Sequence, residues 1–135
     1  MKRVNGKIDI SALNVPPEKH EYITAVFFAK RGKEIVFIKP SDIKGQHTPD
    51  FMMDSKMWEL KSPTVYSKSS FEDNLRRAVK QSENIIYDLR RLKQRDEAVY
   101  IKELRKWSKK RKVKTLLIVT RDGQVLTLKG EFAKM

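Results

Sequence analysis

The sequence contains no cysteine and only two histidines, His20 and His47. Without cysteine there are no disulfides, no thiolate-bound metal and no thiol nucleophile. No uncharged apolar run approaches the length of a membrane span, and the N-terminus lacks the apolar core of a signal peptide. These absences predict a protein that acts in the cytosol without a membrane partner, either by itself or as a fragment delivered there.

Acidic residues are also in short supply. Seventeen Asp and Glu against thirty Lys and Arg give the chain a formal net charge of +13. Such an excess favours a polyanionic partner, because each phosphate that a cation neutralises releases counterions. The alternative is a solvated basic surface that binds many molecules without specificity. Nucleic acid is therefore the expected class of partner.

The length predicts a single domain with one modest core, residues 16–135, after a loose lead-in of residues 1–15. A short edge strand is expected from Lys7 to Ile10. The other predicted elements are a helix from Pro16 to Lys30, a strand from Glu34 to Lys39, a hairpin over 51–61, a helix from Ser70 to Gln81, a strand from Asn84 to Leu89, a helix from Asp96 to Lys110 and a hairpin over 114–129.

Two local details accompany these elements. Ser70 is the predicted N-cap of the second helix, because Asp73 follows it at capping-box spacing. The first helix is expected to pack on a sheet through one broad apolar face, which comprises Tyr22, Ile23, Val26, Phe27 and Ala29.

The first hairpin carries the most informative charges. Glu59 and Lys61 are two residues apart in its second strand, so their side chains leave the same face of the sheet. Asp50 stands where the first strand begins, and a hairpin brings that end close to Glu59 and Lys61. Two carboxylates and a lysine on one face are costly unless they are paired. Carboxylate oxygens are also the ligands that Mg²⁺ prefers.

Pro49-Asp50 followed by Glu59-x-Lys61 resembles the motif of the PD-(D/E)xK nuclease superfamily. Together with the runs 58–63 and 74–89, it is similar to the C-terminal tRNase domain of contact-dependent growth inhibition toxins and of related phage and mobile-element proteins. The resemblance covers roughly residues 18–129. It implies an α+β fold of the restriction-endonuclease-like type, with a mixed central sheet flanked by helices in the order α-βββ-α-β-α-ββ.

The same resemblance assigns roles. Asp50 and Glu59 would hold Mg²⁺ or Mn²⁺, and Lys61 would orient the attacking water or stabilise charge at phosphorus. Glu21 has the family's spacing to Gly32, with Glu18 as its competitor one turn earlier. Each residue also has a purely structural interpretation: a turn aspartate, an exposed strand glutamate, a lysine in a simple ion pair and a glutamate at a helix start.

Further candidates lie downstream. Gln81 ends the second helix in a run that matches the family, and its amide would hold substrate phosphate or the active-site lysine. Residues expected to contact the nucleic-acid backbone are Asn74, Arg76, Arg90, Arg91 and Lys93. Arg95 and the cluster 109–112 extend this basic surface.

Three functions stay open at this point. The first is a metal-dependent nuclease, with tRNA as the substrate that the resemblance implies. The second is a metal-independent ribonuclease of the barnase or colicin type, which needs a base such as His47. The third is a nucleic-acid-binding module without catalysis, in which the hairpin charges are merely paired.

The resemblance also implies a protein partner. The toxins in question are encoded beside immunity proteins. A cationic site that must stay open to a polyanion predicts an acidic inhibitor that covers it. Its expected contacts are the rim of residues 61–76 and 90–95.

Overall fold

The computed structural model describes residues 5–133. The elements within this range are β1 (Ile8–Asp9), α1 (Lys19–Ala29), β2 (Ile35–Phe37), β3 (Phe51–Met53), β4 (Lys56–Lys61), α2 (Lys68–Gln81), β5 (Asn84–Asp88), α3 (Gln94–Ser108), β6 (Thr115–Val119) and β7 (Val125–Lys129). They occur in the order that the sequence predicts. Residues 1–4 of the predicted lead-in and residues 134–135 of the predicted domain lie outside the described residues.

The described chain forms two compact units, residues 5–58 with Ala133 and residues 59–132. In the first unit β1 runs parallel to β2, which pairs antiparallel with β3. The strand β3 then pairs antiparallel with β4, with Phe51 opposite Trp58. Helix α1 packs on β1 and β2. The result is a mixed sheet with a helix against it.

The core of the first unit is aromatic. The rings of Phe37 and Phe51 meet edge to face at a centroid distance of 5.6 Å. Trp58 is fully buried, and its indole Nε1 donates a hydrogen bond of 2.9 Å to the carbonyl of Met53. This bond satisfies the polar atom of the largest buried side chain.

The β3–β4 hairpin closes in a two-residue turn. Asp54 and Ser55 both have positive φ, 54° and 63°, which is the type I′ pattern that matches the twist of the strands. Lys33 Nζ contacts Asp54 Oδ2 at 2.7 Å, and the lysine side chain is only 10% exposed. The ion pair therefore fixes the turn to the segment that follows α1.

In the second unit β5 runs parallel to β6, which pairs antiparallel with β7. Residues of the helices α2 and α3 form a hydrophobic core together with residues of the strands β5 and β6. In its centre the ring of Tyr100 contacts the rings of both Phe71 and Tyr87. The mixed strand directions and the helices of both units confirm the predicted α+β class. No helix in the described range combines the length and apolar character needed to cross a membrane.

Two sequence predictions differ in detail. Helix α2 begins at Lys68 rather than Ser70, and Ser67 is its N-cap because the Ser67 hydroxyl accepts from the Ser70 amide. The predicted face of α1 is wrong in part. Tyr22 and Ile23 are exposed, and the helix instead buries Thr24, Ala25 and Phe28 beside Phe27 and Ala29.

Candidate active site

A pocket of about 430 Å³ in the first unit is lined by four carboxylate residues, and one of them, Asp42, lies in the loop before β3. Glu18 and Glu21 come from the N-terminal end of α1, where the diproline fixes the entry of the chain. Asp50 comes from the residue before β3. Its backbone is held on both sides, because its amide donates to Trp58 O at 2.9 Å and its carbonyl accepts from Ile38 N at 3.0 Å.

Glu21 and Asp50 form a carboxyl pair in this pocket. Burial raises the pKa of Glu21 to about 8, helped by the negative charge of Asp50 and by a hydrogen bond between the two groups. At neutral pH Glu21 therefore keeps its proton and shares it with Asp50. The sequence prediction that named Glu21 rather than Glu18 fits this pairing, although both glutamates line the pocket.

A histidine joins the same helix end. Ligand atoms of Glu18, His20 and Glu21 lie within 4.8 Å of one another, a distance that suits a shared cation. His20 Nε2 also lies 3.4 Å from Glu18 Oε2. No role was predicted for His20 from the sequence. A Glu-x-His-Glu run at a helix start, residues 18–21, was the available signal.

The second unit contains the other half of the predicted motif. Glu59 is only 3% exposed, so it is a buried strand residue and not an exposed one. Its Oε2 lies 3.3 Å from Lys61 Nζ. This pair confirms that the two side chains share a face of β4.

The same unit also contains buried polar groups at Tyr87 and Gln81. Burial raises the pKa of Tyr87 well above its usual value, with smaller electrostatic contributions from Tyr100 and Glu59. Tyr87 is therefore neutral, and its hydroxyl donates a hydrogen bond of 2.7 Å to Asn74 Oδ1. Gln81, at the end of α2, has a buried Oε1 without a hydrogen-bond partner among the described residues.

Three of the five predicted nucleic-acid contacts interact with neighbouring side chains of the domain. Asn74 accepts from Tyr87, and Arg76 forms an ion pair of 2.7 Å with Asp73. Arg90 binds both carboxylate oxygens of Asp88, with Nε–Oδ1 and Nη2–Oδ2 distances of 2.9 and 2.6 Å.

Arg91 and Lys93, the other two predicted contacts, form no ion pair within the described residues, unlike Arg76 and Arg90. Arg91 Nη1 donates to the Ser62 carbonyl at 3.1 Å, and Lys93 is the exposed N-cap of α3. His47, the candidate base of the metal-independent alternative, is exposed in the loop between β2 and β3.

A family model for the contact-dependent growth inhibition CdiA C-terminal domain matches residues 46–125. The chain belongs to this family. It is a toxin domain of the CdiA C-terminal type, as the sequence resemblance predicted. The matched range includes Asp50, Glu59, Lys61 and Gln81, whereas Glu21 precedes it.

A solved structure shares the fold of this CdiA C-terminal domain. It is a CdiA-CT/CdiI toxin and immunity complex from Burkholderia pseudomallei, and the match has a TM-score of 0.67 at 16% sequence identity. The alignment covers 92% of this chain and 99% of the other. No curated protein sequence matches the domain.

Proposed function

We propose that this CdiA C-terminal domain is a metal-dependent nuclease that hydrolyses phosphodiester bonds in tRNA. It acts in the cytosol, to which it is delivered from a secreted or phage-encoded protein. The observation that carries the proposal is the Glu21–Asp50 carboxyl pair in the pocket of the first unit. Two carboxyl groups that share a proton offer a divalent cation a place where it can replace that proton.

The chemistry of the donors fits Mg²⁺ or Mn²⁺. Asp50 and Glu21 offer hard carboxylate oxygens, and the motif adds Glu59 as a ligand. When bound, such an ion supplies Lewis-acid polarisation of the phosphoryl oxygen and lowers the pKa of water. His20 and Glu18 give the helix end an additional imidazole and carboxylate.

The other residues act on water and phosphate. Lys61 supplies an ammonium group that Glu59 holds in place, and it orients the attacking water or stabilises negative charge at phosphorus. The Gln81 amide holds a substrate phosphate or Lys61. In the alternative interpretation, the Lys61–Glu59 contact is an ion pair that only neutralises Glu59 and takes no part in catalysis.

Cleavage of total tRNA with Mg²⁺ and with EDTA tests the proposal. We expect cleavage that EDTA stops, and we expect Asp50→Asn and Glu59→Gln to abolish it because each removes an anionic ligand at constant size. Glu34→Gln is the matched control, since Glu34 is an exposed carboxylate of the first unit. Cleavage that is indifferent to EDTA would instead support the metal-independent ribonuclease, and RNA binding without cleavage would support the binding module.

The same proposal includes an immunity partner. The solved structure that shares the fold is a toxin and immunity complex, and the net charge of +13 suits an acidic protein. We expect the partner to protect residues 61–76 and 90–95 from hydrogen exchange. Protection confined to other residues, or normal growth of cells that express the wild-type domain alone, would count against it.

A further inference from the structure

One face of α3 carries a row of cations. Lys102, Arg105, Lys106 and Lys109 are all exposed. The pairs 102–105 and 106–109 are three residues apart, and the pairs 102–106 and 105–109 are four apart. Side chains at these spacings are neighbours on a helix surface. We call this set the α3 basic face. The opposite side of the helix buries Tyr100, Leu104 and Ser108.

Ion pairs among the described residues do not neutralise the α3 basic face. None of its four cations forms an ion pair with any residue in the range 5–133, whereas Arg76 and Arg90 each pair with an aspartate. Like charges four residues apart repel and destabilise a helix. A bound polyanion would offset this repulsion. Glu103, the carboxylate between Lys102 and Arg105 in the sequence, accepts a hydrogen bond from Trp107 Nε1 at 3.1 Å.

The positive surface continues past the end of the helix. Lys106 Nζ, Lys110 Nζ and Arg111 Cζ lie 5.6, 5.2 and 5.5 Å from the centroid of the Trp107 ring. Cations attracted to one half-buried ring are held close together despite their mutual repulsion. The ring thus keeps the charge concentrated at this end of α3.

We propose that the α3 basic face binds the phosphate backbone of the RNA substrate. The face spans about 10 Å between Lys102 and Lys109 at the rise of an α-helix. A duplex with the charge density of DNA presents about six phosphates over that length. The identification of this RNA as a substrate rests on the proposed nuclease function, but the binding itself does not.

The composition of the face favours nucleic acid over an acidic protein. Lysine is depleted in protein–protein interfaces, whose centres are apolar. Nucleic-acid interfaces are more polar and much more positive. The shallow depression along the α3 basic face has Ala98 and Ile101 as its only apolar lining among the described residues.

The test compares two variants that each lose four positive charges. In the first variant Lys102, Arg105, Lys106 and Lys109 are replaced by Gln, which keeps a good helix propensity. In the matched control the exposed residues Lys7, Lys30, Lys44 and Lys114 are replaced by Gln. Binding of each protein to total tRNA is measured in EDTA over a range of salt concentrations, so that cleavage does not interfere. Circular dichroism verifies that both variants are folded.

We expect the slope of log affinity against log salt to fall by about 3 for the α3 variant, because four phosphate contacts are lost. The control is expected to keep nearly the wild-type slope. Equal losses in both variants would overturn the proposal, since the face would then contribute only general charge. Unchanged RNA binding with lost binding to a cognate acidic immunity protein would assign the face to a protein partner instead.

Cleavage distinguishes failure of this inference from failure of the proposed function. With Mg²⁺ we expect the α3 variant to show a raised KM for tRNA and an unchanged kcat on a dinucleotide phosphodiester. A wild-type domain that binds tRNA through α3 but cleaves nothing would remove the nuclease and leave the binding face. If the wild-type domain cleaves tRNA and the α3 variant has an unchanged KM for tRNA, the nuclease function stands and the α3 binding face is rejected.

Discussion

Glu21 holds a proton at neutral pH because its carboxyl group is half-buried beside Asp50. Such a pair links the stability of the metal-free protein to pH. A carboxyl whose pKa is raised on folding binds protons more tightly in the folded state than in the unfolded chain. Its contribution to stability is complete below about 4.5, the usual value, and is lost as the pH rises through about 8.

We therefore predict that the free energy of unfolding, measured in EDTA, falls between pH 5 and pH 8 through this pair. Glu21→Gln removes the titration at nearly constant size, so its stability should depend less on pH across the same interval. Thermal unfolding at a series of pH values measures both profiles. Parallel profiles for the wild type and the variant would show that Glu21 ionises normally.

The Glu59–Lys61 pair gives a second prediction at this scale. Lys61→Ala leaves the Glu59 carboxylate buried without its cation, which should lower the free energy of unfolding by about 2 kcal/mol. The double replacement of Glu59 and Lys61 by Ala should cost less than the sum of the two single replacements. Urea denaturation of the four proteins measures the coupling. Strict additivity would mean that the two charges do not interact.

Sequence alone located the charged residues but not their surroundings. The spacing of Glu59 and Lys61 predicted a shared face, because side chains alternate along a strand. The burial of Glu59 was not predictable, since it depends on what covers the strand. The Glu18–His20–Glu21 cluster was missed for a related reason: its ligand atoms meet through the path of the chain into α1, and the spacing alone does not specify that path.

At the scale of elements, substitutions in the turn of the β3–β4 hairpin measure how much a turn residue contributes to the stability of the protein. Ser55 has a φ of 63°, in the left-handed region that costs a non-glycine residue energy. Ser55→Gly should therefore stabilise the protein by about 0.5 kcal/mol, the relief of strain less the added freedom of the unfolded chain.

The opposite change is available in the β6–β7 hairpin. Gly123 has a φ of 83°, and a Cβ added there would meet nothing within 4 Å. Gly123→Ala should cost about 1 kcal/mol through the backbone alone. Denaturation midpoints of both variants measure these effects. A stabilising Gly123→Ala would contradict the strain argument for both turns.

Elements with local signals were the predictable part of the fold. Both hairpins follow from apolar strands on either side of polar turns, and α3 follows from its helical periodicity. The N-cap of α2 was misplaced by one helical turn because Ser67 and Ser70 are both competent caps. The prediction of the buried face of α1 was partly wrong, because the small residues Thr24 and Ala25 are buried whereas the larger Tyr22 and Ile23 are exposed.

At the scale of the whole molecule, the net charge of +13 should act in two opposite directions. Affinity for RNA should fall steeply as salt rises, because salt competes with phosphate contacts. Stability should rise over the same range, because salt screens the repulsion among the cations of the folded chain. Binding titrations and thermal melts at matched salt concentrations measure the pair of trends. A melting temperature that falls with salt would show that self-repulsion does not limit stability.

On the α3 basic face, the attraction for a polyanion and the repulsion among cations both arise within a small area. Its four cations repel one another in the folded helix and separate when the chain unfolds, so a polyanion that gathers them favours the folded state. Under the proposed function RNA is the substrate, and it is also a ligand that stabilises the fold by an amount that grows with the logarithm of its concentration over its Kd. A toxin domain of marginal stability would become harder to unfold, and so harder to degrade, where its target is most abundant.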